Sequence, residues 1–138
     1  MMGCGVWIKM SHSERIHICW NAGPGSNTMA KLLALWSGLL AGYNLGIMNV
    51  SIYGDSKVII GVVNDTFSLS APSAQGWMLR IKHLWAIMNF PPISHIFREL
   101  NTRVDGLSKK GLSMEFGFMN VIQYRDGVRV WATNIPIP

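Results

Sequence analysis

Two short apolar runs, residues 3–10 and 15–20, flank the polar Ser11-His12-Ser13-Glu14, and this pattern predicts a β-hairpin. Asn21-Ala22-Gly23-Pro24-Gly25-Ser26 is a loop by its glycines and proline. Over 27–44 the period changes: Leu32, Leu35, Trp36, Leu39 and Leu40 recur at helical spacing, Asn27 or Ser26 can cap the start, and Asn44 and Gly46 end it. Near-alternation over 47–53 predicts a strand that closes on Gly54-Asp55-Ser56. Asp55 or Ser56 can cap a short apolar helix from Lys57 to about Asn64, and 65–71 is a linker. A third helix over 72–88 carries Trp77, Ile81, Leu84, Trp85 and Met88 on one face. Pro91-Pro92 breaks it, 93–98 is a further strand candidate, and Asn101 caps a last helix to about Lys110, with Gly111 at its end. Residues 112–138 have weak periodicity and read as an extended appendage or loosely docked tail. The order ββαβααβα is that of a mixed α/β layer architecture.

Composition narrows this picture. A length of 138 residues suits one domain with a core of its own. With 49% hydrophobic and 14% charged residues, the chain lacks the composition of a disordered protein. Twelve Lys and Arg against seven Asp and Glu give +5, a balance that suits a polyanionic partner. The uncharged stretch between Lys31 and Asp55 is long enough to cross a bilayer, but its change of period reads instead as a buried helix followed by a buried strand. Cys4 and Cys19 form no disulfide framework and no metal pattern, which suits two buried thiols in a reducing compartment. The first nine residues have no signal-peptide pattern, and Trp7 stands where myristoylation requires Ser or Thr. The expectation is an intracellular protein of nucleus or cytoplasm, not secreted and not in a membrane.

With so few acids, carboxylate chemistry has a small pool to draw on. Asp55 follows an apolar strand, at the carboxyl edge where open α/β sheets place their sites. Asp105 lies one turn into the last helix. Two readings stay open for this pair: helix-start acids favoured by the macrodipole, or carboxylate ligands of a hard divalent ion. His95 reads as a packed or edge histidine, and His12 and His17 have no metal-pair spacing. Arg98-Glu99 reads as a structural ion pair, and Trp77 and Trp85 as core. Arg80, Lys82, Arg103, Lys109 and Lys110 fit either phosphate contacts or a solvated basic face.

Three ordered segments carry a resemblance: Asn27-Thr28-Met29-Ala30-Lys31-Leu32-Leu33-Ala34-Leu35, Tyr53-Gly54-Asp55-Ser56, and the run from His95 through Arg98-Glu99-Leu100-Asn101 and Asp105-Gly106-Leu107 to Lys109. Over residues 3–111 the chain resembles a ribonuclease H-like domain, more narrowly the reverse-transcriptase-associated type of plant retroelements. The resemblance implies a five-stranded mixed sheet with helices on both faces, residues 112–138 being a C-terminal extension. It implies hydrolysis of the RNA strand of an RNA–DNA hybrid by two Mg²⁺ (or Mn²⁺) ions held by four acids. By motif, Asp55 matches the third acid and Asp105 the fourth, as catalytic and metal-binding residues. Asn27, Ser56, Asn101 and Lys109 match positions that bind nucleic acid, whether RNA–DNA hybrid or double-stranded RNA or DNA.

The departures from the pattern bear on function. The family's first acid lies on an opening strand before Gly3, so the resemblance implies a fold without its first strand. The second acid, a Glu, is replaced by Lys31. Unit charges about 4 Å apart interact by roughly 4 kcal/mol at an effective dielectric near 20, so an ammonium there opposes Mg²⁺ and can pair with Asp55 instead. The expected function is therefore nucleic-acid binding with impaired catalysis. The alternatives are an active hybrid ribonuclease whose first strand is supplied elsewhere, and a non-enzymatic retroelement remnant or interaction module.

Overall fold

A computed structural model describes residues 1–9, 12–47, 52–54, 57–63, 72–89, 91–95 and 101–136. Its elements are β1 (Gly3–Lys9), β2 (Glu14–Asn21), α1 (Asn27–Asn44), β3 (Ile52–Gly54), α2 (Lys57–Val63), α3 (Pro72–Ile87), β4 (Ile93–His95), α4 (Thr102–Gly111), β5 (Phe118–Arg125) and β6 (Val128–Pro136). The class is mixed α/β, as the residue pattern predicts. Contacts divide the chain into two compact units, Met1–Ala30 with Thr102–Pro138, and Lys31–Asn101. Among the described residues, antiparallel pairing lies in a four-stranded sheet of order β1-β2-β5-β6, and parallel pairing in the pair β3-β4.

In the first unit the predicted hairpin forms, with Gly5 opposite Cys19, Trp7 opposite His17 and Lys9 opposite Arg15. Period two then puts Cys4, Val6 and Ile8 on one face with Ile16, Ile18 and Trp20, while Gly3, Gly5, Trp7 and Lys9 share the other with Arg15, His17 and Cys19. Cys4, Ile16, Ile18 and Trp20 are essentially buried, and Met119 and Val121 of β5, opposite Trp20 and Ile18, join this core. Both thiols are free and buried. Cys4 Sγ donates to Ala30 O at 3.3 Å, and burial pushes its pKa up to about 12. The thiol is thus a packing group.

Helix α4 lies on the glycine side of the hairpin. A Cβ on Gly5 would fall 2.5 Å from Ser108 N and 2.6 Å from Leu107 Cβ, and one on Gly3 would collide with Ser108 O. At the helix end, a Cβ on Gly111 would meet Trp20 O at 2.5 Å. Gly111 therefore serves close backbone approach; it is not among the residues with positive φ.

Residues 112–138 differ from the appendage expected of them. They turn at residues 112–113, bridge Phe116 to Asn21 and form β5 and β6, with β5 paired antiparallel to β2 from Glu14↔Arg125 to Trp20↔Met119. Asp126 (φ 52°) and Gly127 (φ 76°) make a turn with both central residues left-handed, the geometry that matches strand twist. Asn21 secures the entry: its Oδ1 accepts from Gly23 N at 2.9 Å, and its Nδ2 donates to Leu112 O and Met114 O at 3.5 Å.

In the second unit, Leu32, Leu33, Trp36 and Leu39 of α1 are buried, as are Ala74, Met78, Ile81 and Leu84 of α3. Trp36 meets Trp77 edge-on at 4.9 Å, Arg80 lies 4.5 Å over Trp77, and Trp85 Nε1 donates to Pro91 O at 2.8 Å. Trp36 is buried in this core, and Trp77 and Trp85, predicted as core, are half-buried. The strand predicted over 47–53 is seen as Ile52–Gly54, and the candidate at 93–98 as Ile93–His95, the remaining positions of each lying mostly outside the described residues. No helix among the described residues is long and apolar enough to cross a membrane.

The two kinds of glycine separate cleanly in stability. Gly5→Ala is expected to cost about 2 kcal/mol by overpacking, whereas Gly76→Ala, in open space within α3, is expected to add about 0.5–1 kcal/mol. Urea unfolding of both variants checks this. Equal effects would show that the α4 contact does not constrain the fold.

Candidate functional site

Asp105 stands in the first turn of α4, and Lys109 and Lys110 stand in its last turn. Each charge opposes the end of the helix dipole that favours it, so the local structure alone stabilises all three. Asp105 is half-buried and the lysines are exposed. Leu107, Ser108 and Gly111 are committed to the sheet, which fixes the rotation of α4 and hence where Asp105 and Arg103 leave it. Asn101 directly precedes α4 and is half-buried.

At the other motif, Ser26 is the cap of α1: its Oγ accepts from Met29 N at 3.1 Å. Asn27 is the first helical residue, exposed and in the first unit. Lys31 lies one turn on, half-buried and engaged by a partner, in the second unit. Asp55 and Ser56 lie outside the described residues, as do Arg98 and Glu99. Asp105 and Lys109 share the first unit with Asn27, and Lys31 and Asn101 belong to the second. His95 is exposed on β4 and has an interaction partner.

A two-ion centre requires several carboxylate oxygens around one point. Of the motif positions described, Asp105 supplies a carboxylate and position 31 an ammonium. Among the described residues no group of three or more His, Cys, Asp or Glu side chains is placed to hold a metal ion. Among the described residues the motif contributes one acid to such a centre, Asp105, and Asp55 lies outside them.

Residue-by-residue motif reading misses a second feature of α4. Arg103 lies 4.9 Å over the ring of Trp7, and on the next strand Arg15 lies 5.6 Å over Tyr124, whose ring is 4.7 Å from His17. The β1–β2–β5 register produces this cluster, since Trp7 pairs with His17 and Arg15 with Tyr124. Burial first, then the charges of Arg15, Arg103 and Lys110, lower the pKa of His17. The sequence signal available was positional: Trp7, Lys9, Arg15 and His17 all fall on one face of the predicted hairpin.

An antiparallel sheet carrying a helix over its first two strands, together with a parallel pair connected through helices, defines an α/β domain of the ribonuclease H-like class. Two solved structures share the fold. Ribonuclease H1 of the halophilic archaeon Halobacterium salinarum matches with a TM-score of 0.63 at 20% identity, over 72% of this chain and 84% of that one. The N-terminal ribonuclease H domain of a Mycobacterium tuberculosis protein, solved as a fusion with maltose-binding protein, matches with a TM-score of 0.59 at 18% identity, over 80% and 97%. A putative ribonuclease H protein of Arabidopsis thaliana is 29% identical over 99 residues, which are 71% of this chain but 16% of that relative. Residues 3–111 match the family model described as reverse transcriptase-like, and the chain belongs to that ribonuclease H-like family.

The lowered His17 pKa fixes the sign of one pH effect. Between the folded and unfolded values the unfolded chain binds more protons, so this contribution is complete above the unfolded value of about 6.5 and is lost as pH falls below it. His17→Gln is expected to flatten the loss of stability as pH falls below about 6.5 in urea melts. A slope unchanged from the parent would exclude His17 as its source.

Proposed function

We propose that this chain is a nucleic-acid-binding ribonuclease H-like domain in which hybrid hydrolysis is lost or strongly impaired. The observation that carries the reading is Lys31, which stands on α1 at the motif's Glu position. The exchange moves local charge by two units against the Mg²⁺ or Mn²⁺ that the reaction needs, and Asp55 with Asp105, two of the motif's four acids, make a weak anchor for a hard cation. Family membership and the sheet with its α4 support the domain class. The +5 charge supports a polyanionic partner bound through phosphates, with strong salt dependence. The substrate form we favour is an RNA–DNA hybrid, with double-stranded RNA or DNA the other candidates. Asn27, Ser56, Asn101 and Lys109 are the proposed contacts, and Asp55 is the group proposed to pair with Lys31. A plant retroelement origin and an intracellular location fit the same reading.

An RNA–DNA hybrid cleavage assay in Mg²⁺ and in Mn²⁺ tests it. The expected result is no turnover above background, with salt-sensitive hybrid binding retained, and no recovery in Lys31→Glu. Turnover abolished by Asp55→Asn would overturn the loss of activity. Absence of salt-sensitive binding would instead favour a non-enzymatic remnant.

A further inference from the structure

The β1–β2 hairpin, the first turn of α4 and the β5–β6 turn enclose a cleft of about 450 Å³, all within the first unit. Trp7, Lys9, Arg15 and Arg103 line it, together with Glu14 and Asp126. We propose that this cleft is a phosphate-binding subsite that takes one phosphodiester of a bound nucleic-acid strand, apart from the motif positions.

Three observations carry the assignment. First, the charges do not cancel. Lys9, Arg15 and Arg103 face Glu14 and Asp126, and Glu14 is already engaged by Arg125 Nε and Gln123 Nε2, each at 3.3 Å. Second, both guanidiniums lie over aromatic rings, Arg103 over Trp7 at 4.9 Å and Arg15 over Tyr124 at 5.6 Å. Stacking occupies the flat face of a guanidinium and leaves its in-plane N–H edge for an acceptor, the geometry that suits phosphate oxygens. Third, Arg15 Nε and Trp7 Nε1 are buried with no hydrogen-bond partner among the described residues. Buried donors are normally satisfied, and two of them beside a positive cleft call for an anionic acceptor. The size fits a phosphate with its flanking sugar. Such a contact would position a strand without reading its sequence.

The subsite depends on the nucleic-acid-binding reading only for the source of its phosphate, so two measurements separate the claims. In ¹H–¹⁵N spectra of the full chain, with the Trp7 indole resonance identified by Trp7→Phe, inorganic phosphate is expected to shift that resonance saturably at constant ionic strength. Chloride is not expected to do so. Arg15→Gln should abolish the shift, and Arg103→Gln provides the same test should the first variant melt early. No saturable shift, or one retained in both variants, overturns the subsite. In anisotropy titrations with a labelled RNA–DNA hybrid, Arg15→Gln should weaken binding about tenfold and reduce the salt slope by about one. Phosphate binding with hybrid affinity unchanged by Arg15→Gln assigns the cleft to free phosphate and overturns the nucleic-acid source. A parent chain that binds phosphate but no hybrid overturns the proposed function while leaving the anion site standing.

Discussion

Helix α4 rests on β1 backbone to backbone, and that approach is possible because Gly3 and Gly5 present no Cβ to Leu107 and Ser108. The spacing of those glycines by two residues puts both on one face of the strand, leaving Cys4 and Val6 to face the opposite core. Once Leu107, Ser108 and Gly111 are held against the sheet, the rotation of the helix is no longer free. The direction in which Asp105 and Arg103 emerge is set by that contact, not by the charges themselves.

The same face then changes character along its length. Toward the start of β1 it is glycine under helix; from Trp7 onward it is aromatic and basic, with Lys9, Arg15, His17 and Tyr124 brought together by strand register. Arg103 bridges the two regions by leaving the first turn of α4 and stacking on Trp7. The positive field it shares with Arg15 and Lys110 acts on His17, which burial already disfavours as a cation. A single packing contact thus sets both the motif acid and the cationic cleft.

Much of this was legible in the residues. The hairpin, the helices near 27–44, 72–88 and 102–111, and the capping role at Ser26 follow from period and punctuation, because each depends on neighbours within one turn or one strand. The C-terminal strands were missed, although Asp126-Gly127 between Val121-Ile122 and Val128-Val130 is a strong hairpin signal. Their faces are broken by Asn120, Asn134 and a register shift at Gln123/Tyr124, which blurs the alternation that a strand reading relies on. The site was legible as motif positions, with Lys31 and Asp105 identified from local context.

By itself, the sequence determined the α/β class, the order of motifs, the ammonium at position 31 and the positive balance, since these follow from residue identity and short-range period. Only the tertiary structure decided that residues 118–136 extend the sheet beyond β2, that Gly111 serves contact and not a left-handed cap, and that Trp7, Arg15 and Arg103 line one cleft. These are pairings between positions about a hundred residues apart. Strand register and helix docking choose such partners through packing and backbone hydrogen bonds, and no local pattern along the chain encodes that choice.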